Sequence, residues 1–247
     1  MKKHLRSTVL VLFAFGGAAM AAEIKVLSAG AVEPGLVKLA EQFRRDTGNR
    51  VKIQFGTAPQ LAKRLADGES ADVLVAPPSV VDAQIKTGKI AADSRVIVGR
   101  VGVGVAVRTD APIPDIATLD AFKQTLINAD SVVYNQASTG LYLEKLFDIM
   151  GIGEQLKPKT TRYANAAQVL EHVIGGRGNE IGFAPITEIK PFEPKGLKFV
   201  GPLPAQVQNY TTYAAGVMTD AQDAAKDFIR YLGGPIGKQT FAAAGID

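Results

Sequence analysis

The sequence predicts an α/β protein of two lobes, each doubly wound about a mainly parallel sheet. Three observations predict it. Short β-type runs alternate with helical patterns along the chain. Two such series share about 225 residues behind an N-terminal leader, which fits two cores better than one. Two long extended segments, near 96–107 and 207–218, can both carry the chain between the lobes.

The first series opens with a β-type run at 24–28. Residues 33–47 follow with Leu36, Leu39, Ala40 and Phe43 at helical spacing, and Gly48-Asn49 ends that helix. Residues 51–55 alternate as a strand does, and 60–66 carry Leu61, Arg64 and Leu65 at helical spacing. The run 72–76 (DVLVA) reads as a buried strand, and Pro77-Pro78-Ser79 starts a helix over 80–87. This βαβαβα order implies parallel strands.

Residues 96–107 (VIVGRVGVGVAV) are too glycine-rich for a good helix and read as a long strand with bends. Ala111-Pro112-Ile113-Pro114 follows as a rigid link. The second series comprises helix 119–128, strand 131–134, helices 140–150 and 166–174, and strand 180–184. Gly201-Pro202-Leu203-Pro204 breaks the chain. A strand at 211–218 and helices at 221–232 and 236–243 complete it. The expected division is 23–98 with 212–247 as one lobe and 99–211 as the other. A double crossing of that kind supports hinge closure around a ligand.

Residues 1–22 read as a cleaved secretory signal. Lys2, Lys3 and Arg6 form a basic start, 9–15 is unbroken apolar, and Ala19-Met20-Ala21 is a small-x-small site. The apolar run is too short for a membrane span, which takes roughly 20 residues. The expected location is therefore the periplasm. Of 28 Lys and Arg, three lie in the signal, so 25 face 24 Asp and Glu and the net charge falls from +4 to +1. The high pI is thus no sign of a polyanion partner, and no basic run interleaved with aromatics points to nucleic acid. With no Cys, a disulfide framework and thiolate chemistry are excluded, and two His make a multi-histidine metal centre improbable. No metal or cofactor is expected.

Four strand-to-helix junctions are built from small polar residues: 28–31 (SAGA), 56–60 (GTAPQ), 135–140 (NQASTG) and 163–166 (YANA). In open α/β sheets ligands bind there, where free helix N–H groups point. Plain capping by Ser, Thr and Asn is the alternative. Two junctions in each lobe suggest a shared anion cleft, with Ser28, Gly30, Ala31, Thr57, Ala58, Ser138, Thr139, Gly140 and Asn165 as ligand-binding candidates. His172 falls beside Gln168 and Glu171 on the polar face of its helix. Arg64 and Lys63 read as a solvated face, and Tyr142 as a buried aromatic within reach of the cleft. Gly102-Val103-Gly104 lacks the setting of a dinucleotide loop, and Gly175-Gly176-Arg177-Gly178 reads as a turn. No nucleophilic triad or phosphate loop is present, and no residue is assigned a catalytic role.

The stretches IKVLSAGAVEPGLVKLAEQF from Ile24, FGTAPQLAKRLADGESADVLVAPPSVVD from Phe55, QASTGLYLEKLF from Gln136 and NEIGFAPITEI from Asn179 resemble the periplasmic molybdate-binding proteins of ABC importers. The resemblance implies a type II periplasmic-binding-protein fold with two hinge crossings. It also implies a small anionic ligand, a membrane permease as partner and action as a monomer. Members of that family hold the oxyanion through two serines, backbone N–H groups and a tyrosine. Those side-chain positions fall near Ala31, Ala58 and Pro185, none with a hydroxyl, while Ser28, Thr57 and Ser138 stand nearby. Each hydroxyl lost to a desolvated dianion costs about 1.5–3 kcal/mol, which favours another small anion, such as an organic carboxylate. GPLPAQVQ from Gly201 and ASTGLY from Ala137 are also similar to aconitate isomerases, periplasmic enzymes of the same fold. That similarity implies, as the alternative, isomerisation of an unsaturated tricarboxylate. A carboxylate, Tyr or Lys would then supply the base for a CH2 beside a carboxylate.

Overall fold

The computed structural model describes residues 21–247, so the predicted signal lies almost wholly outside the described residues. Among the described residues, no helix is long and apolar enough to cross a membrane. The first series is β1 (Glu23–Ala29), α1 (Glu33–Thr47), β2 (Arg50–Gly56), α2 (Ala58–Ala66), β3 (Val73–Ala76) and α3 (Pro78–Lys86). β1 pairs in parallel with both β2 and β3, as strand–helix–strand connections allow. α1 ends where Gly48 takes a φ of 79° and its N–H reaches Arg44 O, the left-handed cap that glycine adopts without a Cβ penalty.

β4 (Val96–Arg108) is the strand that joins the lobes. Its first half pairs antiparallel with β9 (Tyr210–Val217), which in turn pairs antiparallel with β3. Its second half pairs antiparallel with β7 (Glu180–Pro185) and β8 (Leu197–Pro202). The second series holds α4 (Leu119–Asn128), β5 (Ser131–Asn135), α5 (Ser138–Ile149), α6 (Gly153–Leu156), β6 (Thr160–Tyr163), α7 (Ala166–Gly175) and α8 (Ile186–Ile189). β5 lies parallel to β6 and β7. The chain finishes in α9 (Asp223–Gly233) and α10 (Pro235–Ala243), with α10 against α1. Strand order is β2-β1-β3-β9-β4-β7-β5-β6, with β8 on the side of β4.

The cores confirm two lobes. One cluster gathers β1, β3, α1, α9 and α10 around Phe43, Phe228 and Phe241, and takes in Val98 and Val101 of β4. Val103, Val105 and Val107 belong instead to a cluster with α4 and α5 around Phe122, Phe147 and Phe183. A third cluster, under α7 and α8, covers the opposite face of that sheet through Ala106, Val133 and Ala184. The path along β4 therefore leaves one core and enters another at Gly102. Beside that point the Gln208 side-chain amide accepts the Val103 N–H at 3.1 Å and donates to Val103 O at 2.9 Å. Arg100 stacks on Tyr210, 4.5 Å from the ring centre. The two crossings are thus tied side by side at the hinge.

Four elements of the structure carry no sequence expectation: α6, β6, α8 and β8. β6 is a sheet-edge strand whose residues all keep solvent contact, so no inward-outward alternation marks it. β8 runs to the Gly201-Pro202 pair read as a break. It pairs with β4 across an irregularity at Val105/Ala106, and Gly201 takes a φ of 156°. α6 and α8 are single turns, too short to show a helical period.

Candidate functional site

The carboxyl ends of β1, β2 and β3 face those of β5, β6 and β7 across a cleft of about 340 Å³ between the lobes. Gly30, Ala31, Thr57, Ala58, Ser138, Thr139 and Asn165 line it together, from all four junctions. Two candidates lie elsewhere. Ser28 is fully buried inside β1, where its hydroxyl donates to Ala29 O at 3.2 Å. Gly140 lies behind the wall: a Cβ there would stand 1.6 Å from Asn135 O. Its glycine identity serves the packing of α5 on β5.

The caps explain which N–H groups remain for a ligand. At α5 the Asn135 side chain, itself buried, accepts the N–H groups of Ala137 at 3.0 Å and Gly140 at 3.2 Å. It takes neither the Ser138 nor the Thr139 N–H, and both of these first-turn residues line the cleft. At α2, Gln60 Oε1 accepts the Thr57 N–H at 2.8 Å, with Pro59 in the first turn. At α7, Asn165 Oδ1 caps the Gln168 N–H at 3.0 Å and keeps its amide NH2 unused in that bond. At these helix starts the capping bonds leave Ser138, Thr139 and Asn165 on the cleft wall.

The lobes touch at the cleft. Thr187 of α8 donates its hydroxyl to Ala31 O at 2.6 Å. Thr187 follows directly on β7, Ile189 belongs to the core beneath α7, and Ala31 belongs to the first lobe. The next residue, Glu188, lies against the backbone of Gly30, with Oε2 3.2 Å from where a Cβ would stand. Glu33, in the first turn of α1, and Tyr213 of β9 complete this wall. Among the described residues, no Lys, Arg or His lines the cleft.

Glu188 is therefore desolvated without a cation. Burial chiefly, and then the Glu33 charge, push its carboxyl up to about 7. Burial also raises Glu33, and it raises the Tyr213 phenol, to which the Glu188 charge adds. The carboxyl holds a proton more tightly folded than unfolded, so stability falls as pH rises from about 4.5 to about 7, and the cost is fully present above that. Glu188→Gln is expected to raise the unfolding free energy by about 1–2 kcal/mol near pH 8, after allowance for the side chain's remaining contact with solvent. Near pH 4 the gain should vanish. Denaturant titrations at both pH values measure it; an equal gain at both would refute the charge as its cause.

Other polar candidates are occupied away from the cleft. Arg64 pairs with Glu69 at 2.5 Å and also meets Gln54, and Lys63 pairs with Asp67 at 2.5 Å. Tyr142 donates to Val207 O at 2.6 Å beside the hinge. His172 is half-buried rather than on an open face, with Nδ1 2.8 Å from the Tyr163 hydroxyl.

Residues 24–247 match the family model of bacterial extracellular solute-binding proteins. The chain belongs to that family. It is 33% identical over 217 residues to an aconitate isomerase from a Pseudomonas species, covering 85% of this chain and 81% of the relative. It is 27% identical over 242 residues to a molybdate-binding protein from Azotobacter vinelandii, covering 92% and 91%. Its backbone superposes on the periplasmic molybdate-binding protein of A. vinelandii with a TM-score of 0.76 at 18% identity, over 91% of this chain and 98% of that one. The shared fold is that of type II periplasmic binding proteins. Sequence reasoning named seven of the residues that line this cleft but passed over Glu33, Glu188 and Tyr213. The stretch NEIGFAPITEI was already singled out, and its acidic residue one turn beyond a buried strand was the available signal.

Proposed function

We propose that this solute-binding protein is exported to the periplasm, closes as a monomer on a small organic polycarboxylate, and delivers it to the membrane permease of an ABC importer. The carrying observation is the lining of the cleft. Helix starts from both lobes line it, with Ala31, Ala58 and Pro185 at the positions where the family resemblance implies hydroxyl donors to a tetrahedral oxyanion, and with no basic side chain among the described residues. Its volume falls in the range of organic ligand pockets. The similarity to a molybdate binder supports an anion, and the similarity to an aconitate isomerase supports a tricarboxylate. A thermal-melt screen of molybdate, tungstate, sulfate, phosphate and di- and tricarboxylates tests this. A tricarboxylate at a hundred times its Kd adds about 2.7 kcal/mol and should raise Tm by about 5–10 °C. No shift with any anion would sink the binding function, and a shift with molybdate alone would sink the carboxylate.

Glu188 favours a second reading, a periplasmic isomerase. A carboxylate in the cleft whose proton affinity lies near neutrality suits a base at the CH2 of an unsaturated tricarboxylate. Incubation with trans-aconitate, followed for cis-aconitate, decides between them: turnover rules out a receptor alone, and none excludes this reaction.

A further inference from the structure

The cleft poses an electrostatic problem for any anion placed in it. An anion held between the starts of α1, α2, α5 and α7 comes to rest beside two carboxylates, Glu33 on α1 and Glu188 on α8, with the Tyr213 phenol of β9 as the third titratable group facing them. Lys190, two residues beyond Glu188, is exposed, and among the described residues no basic group lines the space. An ionised Glu188 would repel the ligand across low-dielectric surroundings, where like charges at a few ångström cost far more than in water. A neutral Glu188 does the opposite, because its O–H is a hydrogen-bond donor. The position also matters. Glu188 lies against Gly30, next to Ala31, where the first-lobe hydroxyl expected of an oxyanion receptor is missing.

We propose that Glu188 holds the ligand as a neutral carboxylic acid, so that above neutrality anion binding takes up close to one proton. This rests on the reading of the cleft as a polycarboxylate site. It replaces the missing hydroxyl donor with an acid whose protonated fraction rises on binding. It also makes affinity depend on pH in a range where the ligand's own charge is constant. Free Glu188 is near half-protonated at neutrality, and a neighbouring anion raises its proton affinity further.

Tricarballylate is the probe, since a saturated tricarboxylate cannot isomerise and is fully ionised above about pH 7. Calorimetric titration of the protein in HEPES and in Tris should give heats that differ by the ionisation of about one buffer molecule near pH 8. The association constant should fall close to tenfold per pH unit above about pH 7 and level off below it. Glu188→Gln, with an amide donor of the same shape, should bind within a few-fold of wild type near pH 6 and show neither effect. Tricarballylate binding in wild type without the slope and the buffer dependence would overturn the proposal and leave the binding function standing. A slope that persists in Glu188→Gln and disappears in Glu33→Gln would overturn the assignment to Glu188. Absence of binding at every pH would overturn the reading of the cleft, and the proposal with it.

Discussion

Gly140→Ala is expected to lower the unfolding free energy by about 3 kcal/mol or more and Tm by roughly 6–12 °C. The added methyl would stand 1.6 Å from Asn135 O and 2.8 Å from its carbonyl carbon. Both atoms belong to the end of β5, whose neighbours β6 and β7 hold it in place, so the start of α5 would have to lift away. That would strain the two hydrogen bonds from Asn135 Oδ1 that seat the helix. The Ser138 and Thr139 N–H groups would move out of register with the other lobe, and ligand affinity should fall with stability. Gly175→Ala is the control, because nothing lies within 4 Å of a Cβ there; its stability should stay within about 0.5 kcal/mol of wild type. Thermal melts of both variants suffice. A Gly140→Ala protein that melts with wild type would show that the glycine does not hold α5 against β5.

Thr187→Val should weaken ligand binding between roughly fivefold and a hundredfold while leaving the melting of the ligand-free protein almost unchanged. The replacement keeps the shape and removes the one hydroxyl that bridges α8 to Ala31 O across the cleft. A buried carbonyl left without its donor costs about 1–3 kcal/mol. That cost falls on the closed arrangement, since opening the lobes returns Ala31 O to water. Closure around ligand must then supply it. Small-angle scattering with and without a saturating tricarboxylate should show a larger ligand-induced compaction in the variant. Unchanged affinity would mean that this contact does not contribute to closure.

The legibility of the chain follows the physics of each signal. α1 was readable to the residue because a 15-residue helix repeats its apolar stripe several times and ends on a left-handed glycine. β3 was readable as a run buried on both faces. β6 and β8 were not, since edge and off-path strands bury little and so select no pattern. α8 escaped for want of length, and Glu188 escaped with it. The division of labour between Asn135 and Ser138 has a related cause. Both residue types cap helices, and only the close approach of β5 to α5 makes the asparagine the cap and frees the serine for the cleft.

By itself, the sequence determined the αβ order, the long strand between the lobes and the small polar junctions that line the cleft, because each rests on local periodicity or local bulk. Only the tertiary structure decided that Ser28 is buried, that Gly140 serves packing, and that two glutamates far apart in the chain meet at the cleft between the lobes. Desolvation and like-charge proximity depend on distances through space, and those exist only once the two lobes have folded against each other.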